Sequence, residues 1–467
     1  MLLALTAVLA IVAQDHAPLR AAPNPHAAQL ATLWQGEVLE VRDEHAGYLR
    51  VYNYRRERGG YVKRETVRPV GVTEADAPGL LAVLRFLRDS AGAEALGISY
   101  GAAYLKAAPA GALTAEPFDA IATMAERLAD AASGGGVRRA DTAAHLEVVE
   151  QFGIHTRTFE RNGRMQICYD GELYRRVLST PHASAEERAR AALGLTRPDC
   201  VDPALGILLR ASLDEDRAML LDKVEEPNLS ALTRSRLHAR RAAVWAAVAY
   251  EEARRGRPPA PAAQRAVAEL LAVRPNDVGE ERRGEYLDAL LRVGAIRWAA
   301  VAPAAQSGPL VLSAGQGQPG ETCVALAAVQ RPASSPLVRR CTYGLVWLAS
   351  AQPIAHGHAM VLAVQPLESW RELWIFHEVA AGWTVDVLPP GADDPDEGVV
   401  EFAGFAPGSG RLLIAREARE RGLFHRRFEE LRLDDLVQVK QATSPELLAD
   451  FGRWQDVSWR RDTLVLH

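Results

Sequence analysis

The chain has 467 residues, 48% hydrophobic and 24% charged, enough for about three domains of ~150 residues each and too apolar for wholesale disorder. Its net charge is -5, which removes the basic footprint expected of a nucleic-acid binder. Arginines are abundant but interleaved with acids, as in Arg416-Glu417-Ala418-Arg419-Glu420-Arg421, the pattern of solvated faces.

In chain order, Met1 to Ala13 is an apolar run that turns polar at Gln14-Asp15-His16. It is too short to span a bilayer, which takes about 20 residues, and suits the apolar region of a signal peptide with Ala13 last before cleavage. No Lys or Arg precedes it, and Ile11 stands where a small residue is usual. The expectation is a leader over residues 1–13, no transmembrane span after its removal, and a periplasmic or secreted protein. The four cysteines agree, since an oxidising compartment turns such residues into disulfides. Three pairings are open. Locality within the domains proposed below favours Cys168 with Cys200 and Cys323 with Cys341.

Residues 25–72 carry short period-two segments, the mark of half-buried strands. Glu37 to Val41, Tyr48 to Tyr52 and Gly60 to Lys63 are the strands, with turns at Gly47 and at Gly59-Gly60. The residues Gly36, Gly47-Tyr48-Leu49-Arg50-Val51 and Gly60-Tyr61-Val62 resemble the bacterial SH3 family, with Tyr at both positions where that family often has Trp. The resemblance implies a small SH3-like β-barrel that binds cell-wall material or peptide segments. It makes Tyr48, Tyr52, Tyr54 and Tyr61 candidates for an aromatic groove, because a tyrosine offers an apolar face and a polar tip. Arg55-Arg56-Glu57-Arg58 falls in a hairpin loop and could meet an anionic polymer or only solvent.

From 73 to 300 apolar residues recur at helical spacing and predict an α-helical domain. Its helices are expected over Leu80 to Leu87, Ala120 to Ala132, Ala183 to Leu193, Ala231 to Arg254, Ala262 to Val273 and Gly284 to Ala299. Leu96-Gly97-Ile98-Ser99-Tyr100 matches a tetratricopeptide fragment, but nothing recurs at about 34 residues. Cys200 is weighed as a peptidase nucleophile and set aside. Val201-Asp202-Pro203 follows it, no His occurs until His238, and the flanking Asp199 and Asp202 disfavour a thiolate.

Residues 308–467 alternate as strands around Pro/Gly turns. Two meanders, from Leu345 to Val387 and from Val399 to Leu433, suggest propeller blades, and the span holds about three of them where a closed propeller usually has about four or more. The reading is therefore a C-terminal antiparallel β-meander domain, a partial propeller or a sandwich, whose open edge a second copy of the chain or the helical domain could cover. His356-Gly357-His358 reads as a turn, and Asp393-Asp394-Pro395-Asp396-Glu397 as a solvated acidic loop lacking spaced calcium ligands. Gly315-Gln316-Gly317-Gln318-Pro319-Gly320 lacks the Lys-Ser/Thr of a phosphate loop. No catalytic residue, metal or cofactor is assigned.

The whole is an α+β multidomain chain, expected to be a non-catalytic envelope interaction protein that binds peptidoglycan or a protein partner. A cell-wall hydrolase, its site assembled across domains around His145, Glu147, Glu150 and His155, is the alternative. A structural subunit of an envelope assembly is a third.

Overall fold

The computed structural model describes residues 8–134, 139–161, 163–279, 283–303, 306, 308–330, 335–391, 397–420 and 423–462. The first seven residues of the expected leader and acidic residues 393–396 lie outside them. The chain is mixed α+β: an N-terminal antiparallel sheet, a helical middle and a C-terminal sheet region. It divides into two compact units, residues 1–206 with 223–229, and residues 207–222 with 230–467.

The first unit opens with β1 (Val8–Val12), β2 (Ala17–Arg20), β3 (Gln29–Leu33), β4 (Val38–His45), β5 (Tyr48–Asn53), β6 (Arg58–Lys63) and β7 (Val67–Val70). They form one antiparallel sheet in the order β3-β2-β6-β5-β4-β1-β7. All seven strands send side chains into a single core that includes Ala10, Val12, Leu19, Leu33, Leu39, Val51, Val62 and Val67. A flat sheet could not gather all seven, so this one curls.

Strand β1 changes the reading of the N-terminus. It pairs with β4 on one side and β7 on the other, and Ile11 is 1% exposed. Cleavage after Ala13 would remove this strand, which lies between β4 and β7. A five-residue apolar strand has the same texture as a short apolar leader segment.

Six helices and a hairpin complete this unit: α1 (Ala77–Arg88), α2 (Glu94–Ala107), α3 (Glu116–Ser133), α4 (Arg139–Glu150), β8 (Thr156–Arg161), β9 (Arg164–Tyr169), α5 (Glu172–Ser179) and α6 (Ala185–Leu195). Ile11 and Val70 pack outward against Leu80 of α1 and Tyr104 of α2. Between β3 and β4, Gly36 has φ +91°, and a Cβ there would lie 2.6 Å from the Ala95 carbonyl oxygen. Only glycine lets α2 approach this closely, and the Ser99 hydroxyl then donates to the Gly36 carbonyl at 2.7 Å. A Ser184–Glu187 capping box starts α6, and the Cys168–Cys200 disulfide ties β9 to the turn after α6.

The second unit begins with α7 (Ile207–Asp222), α8 (Ala231–Arg254), α9 (Ala260–Ala272) and α10 (Arg283–Ile296). The helical middle, expected over 73–300, is shared between the two units. Next come β10 (Leu310–Gln316), β11 (Thr322–Ala328) and β12 (Val338–Thr342), a three-stranded sheet in which Cys323 lies opposite Cys341 and is bonded to it. Two four-stranded meanders follow: β13 (Leu345–Ile354), β14 (Ala359–Leu367), β15 (Trp370–Val379) and β16 (Gly382–Leu388), then β17 (Gly398–Ala406), β18 (Arg411–Glu420), β19 (Leu423–Arg432) and β20 (Gln438–Ala442). The chain ends in α11 (Ala449–Trp454) and α12 (Val457–Asp462).

The three-stranded sheet and the two meanders stack. Leu312 and Leu326 of the first meet Met360, Leu362 and Phe376 of the first meander. The opposite face of that meander, Val361, Leu373 and Ile375, meets Val400, Leu412 and Ile414 of the second. The outer face of the second, Val399, Ala403, Leu413 and Ala415, is covered by Leu291 of α10, Phe451 of α11 and Trp459 of α12. Independent propeller blades are separate sheets, whereas here β15 pairs with β17 in parallel through Trp370 and Arg371, joining the meanders into one eight-stranded sheet. A bulge at Phe402 to Gly404 receives the C-terminal segment, and a Cβ on Gly404 would lie 2.2 Å from the Trp454 carbonyl oxygen.

Candidate functional sites

Alternation along β5 sends Leu49 and Val51 into the core and turns Tyr52 outward, opposite Glu40 of β4 and Gly59 of β6. Tyr54 is 66% exposed. Its ring meets that of Tyr52 edge-on at 5.0 Å, and its hydroxyl donates to Glu40 at 2.7 Å. The Arg42 guanidinium sits 4.5 Å over the Tyr52 ring and also bonds Glu40. The Tyr54 hydrogen bond holds the Glu40 carboxyl below its ordinary pKa and raises that of the phenol. Two tyrosines are thereby fixed on the outside of the sheet by a carboxylate and a guanidinium. Tyr61 is half-buried, across from Arg50. Tyr48 is 7% exposed, so its ring is not offered at the surface.

The loop arginines are engaged within the chain. Arg55 pairs with Glu147 at 2.9 Å, Arg56 grips buried Glu37 with two bonds, and Arg58 donates to the Leu30 carbonyl.

Close to this loop is a cluster that sequence reading missed. His145 of α4 is buried and bonded to Asp15 at 2.6 Å, and Asp15 also accepts from the Gln35 amide. His16 contacts the Trp34 indole at 4.5 Å and pairs with Asp141 at 3.4 Å. Burial pushes the Asp15 pKa up, but the His145 bond and the Gln35 amide outweigh it and hold the carboxyl below its ordinary value. The four residues weighed as a hydrolase centre do not converge: Glu147 is taken by Arg55, while Glu150 and His155 are exposed. Asp15 and His145 are 130 positions apart, and nothing local marks them as partners.

Cys200 is in a disulfide, and there is no free cysteine. His356-Gly357-His358 lies at the turn between β13 and β14, as expected, with Ala355, His356 and Gly357 all at positive φ. His356 borders an open groove of about 700 Å³ shared with Pro353, Phe402, Phe405, Trp454 and Asp456. Among the described residues, the ligand atoms close enough to share an ion are those of Glu321, Cys323 and Cys341, and the two sulfurs are bonded to each other.

The second unit buries charge. Glu401 of β17 accepts from Arg297 at 3.0 Å and from Arg371 of β15, whose other terminal nitrogen donates to the Gly294 carbonyl. Nearby Glu417 pairs with Arg426 at 3.5 Å, yet burial, with repulsion from Glu401 adding, pushes its pKa from 4.5 up to about 7. The folded protein therefore holds a proton that the unfolded chain releases, and stability falls as pH rises from 4.5 through about 7. Glu417→Gln removes this dependence. Its unfolding free energy should exceed that of the parent by a margin that grows by about 3 kcal/mol between about pH 5 and about pH 8. Denaturant titrations at several pH values check it, and a margin that does not vary with pH refutes it.

No protein-family model matches the chain, and neither a curated protein nor a solved structure matches it.

Proposed function

We propose that this is an exported, non-catalytic envelope interaction protein whose N-terminal sheet is an SH3-like barrel that binds peptidoglycan or an envelope protein. The observation that carries the reading is the fixed outward pair Tyr52 and Tyr54, braced by Glu40 and Arg42. Aromatic rings held rigidly at a surface bind sugars or peptides with little loss of side-chain entropy. Seven strands around one core, with Gly36 at a close approach, support the barrel. Two disulfides support an oxidising compartment, and no helix among the described residues is long and apolar enough to cross a membrane. In the second unit, the outer face of the second meander is covered by the unit's own helices, so a homo-oligomer would use a face other than the one α10 to α12 cover.

The test is retention on purified peptidoglycan, with Tyr52→Ala and Tyr54→Ala variants whose folding is verified by circular dichroism. Retention by the parent and a loss of about tenfold or more in both variants is expected, the scale of a hot-spot aromatic. Retention unchanged in the variants removes the aromatic pair from binding. No retention by the parent moves the ligand from the wall polymer to a protein.

A further inference from the structure

Strand alternation puts Glu321 and Cys323, two positions apart at the head of β11, on one face of the three-stranded sheet. The register sets Cys341 of β12 directly across from Cys323. The core takes Leu312, Val324 and Leu326 from the other face, so this one is turned outward. On β10 the residue opposite Cys323 is Gly315, which has no side chain to cover the pair. The loop after it folds back over Glu321, and a Cβ on Gly317 would lie 2.7 Å from the Cys323 Sγ. The Gln318 amide donates to Glu321 Oε2 at 2.9 Å, and that oxygen stands 4.0 Å from the Cys323 Sγ. The carboxylate oxygen and both sulfurs lie within 4.8 Å of one another. Cys323 is buried, while Glu321 and Cys341 are half-buried and leave the cluster open on the solvent side.

Two sulfurs and a carboxylate are a zinc donor set, and thiolates select zinc over calcium or magnesium. Sulfurs sharing a tetrahedral zinc stand about 3.8 Å apart, farther than a disulfide allows, so the bond and the ion exclude each other. A dithiol removes the block. It gives two electrons to the Cys323–Cys341 bond, is itself oxidised to a disulfide, and leaves two thiols on the protein. The ladder from Thr322 opposite Thr342 to Leu326 opposite Val338 keeps the cysteines facing each other when their bond opens. Zinc then displaces the two thiol protons to solvent and is held by both thiolates and the Glu321 carboxylate, with a water in the fourth place.

We propose that Glu321, Cys323 and Cys341 form a redox-gated zinc site, shut while the disulfide stands and opened by a dithiol. It lies in the second unit and is independent of any ligand at the tyrosine pair.

The test is zinc titration against a chromophoric chelator, before and after reduction with dithiothreitol and desalting under nitrogen. The oxidised protein should take no zinc at this site, and the reduced protein one ion per chain. Cobalt in its place should give the visible bands of a tetrahedral thiolate site. Cys323→Ser should abolish binding, and Glu321→Gln should weaken it by at least the ~10–100-fold that loss of an outer partner costs a metal site. The double variant Cys168→Ser/Cys200→Ser, its folding verified by circular dichroism, should still bind one ion. A Cys323–Cys341 bond that dithiothreitol leaves intact in the folded protein, a reduced protein that takes no zinc, or Cys323→Ser or Glu321→Gln binding as the parent does would each overturn the proposal.

Discussion

A chain beginning at Gln14 is expected to lose the fold of its N-terminal sheet. Strand β1 is paired along both edges, and the edge strand β7 holds to the sheet through it. Ala10 and Val12 enter the core shared by seven strands, while Ile11 fills the contact with α1 and α2. Removing Ile11 and Val12 forfeits roughly 1.5–3 kcal/mol each in burial, and each ladder hydrogen bond lost adds about 1 kcal/mol net. The sum rivals the ~5–15 kcal/mol by which a whole domain is stable. Limited proteolysis of the truncated chain, read by mass spectrometry, should show cuts throughout residues 14–72 where the longer chain resists. A truncated chain as resistant as the parent would show that β1 is dispensable and favour the reading of residues 1–13 as a leader.

Glu401→Gln should destabilise the second unit by about 3–5 kcal/mol, the range for removing one partner of a buried ion pair. The cost is large because Glu401 is the carboxylate to which both buried guanidinium groups, Arg297 and Arg371, bond. Adding Arg371→Met to the same chain should recover part of the loss, since it removes one of the stranded charges and keeps an unbranched apolar stem. Urea unfolding of the single and double variants measures both. A single variant within about 1 kcal/mol of the parent would mean that solvent or a counter-ion already carries the charge.

How much could be read from the residues depended on whether a segment has one wet face. Strands β4, β5 and β6 alternate because one side of the sheet faces water, and α8 spans Ala231–Arg254 as expected. Helix α2 was missed because it buries residues around its circumference, Ala95, Gly97, Ile98, Ser99, Gly101 and Tyr104, leaving no apolar stripe to recognise. Its Gly97 and Gly101 are packing positions, where an added Cβ would run into Met124 and Ile121. The disulfides were within reach because each joins cysteines of one neighbourhood, 32 and 18 positions apart.

For the sites, the SH3 resemblance pointed to Tyr52, but it also pointed to Tyr48, which the fold buries. The His145–Asp15 pair and the Glu401 cluster depend on chain segments far apart in sequence, and neither has a local signature. Arg371 reads as an ordinary strand residue between Trp370 and Glu372. Its burial follows only once β15 and β17 lie side by side.

The cover on the outermost meander also sets an order of events during synthesis. Val399, Ala403, Leu413 and Ala415 are synthesised before residues 449–459, so at that stage their cover from α11 and α12 is not yet made. For that interval α10, already synthesised, is the one part of the cap on hand. The nascent chain thus passes through a stage with an apolar sheet face half roofed, and a chain released before residue 449 would present that face to chaperones or to other chains.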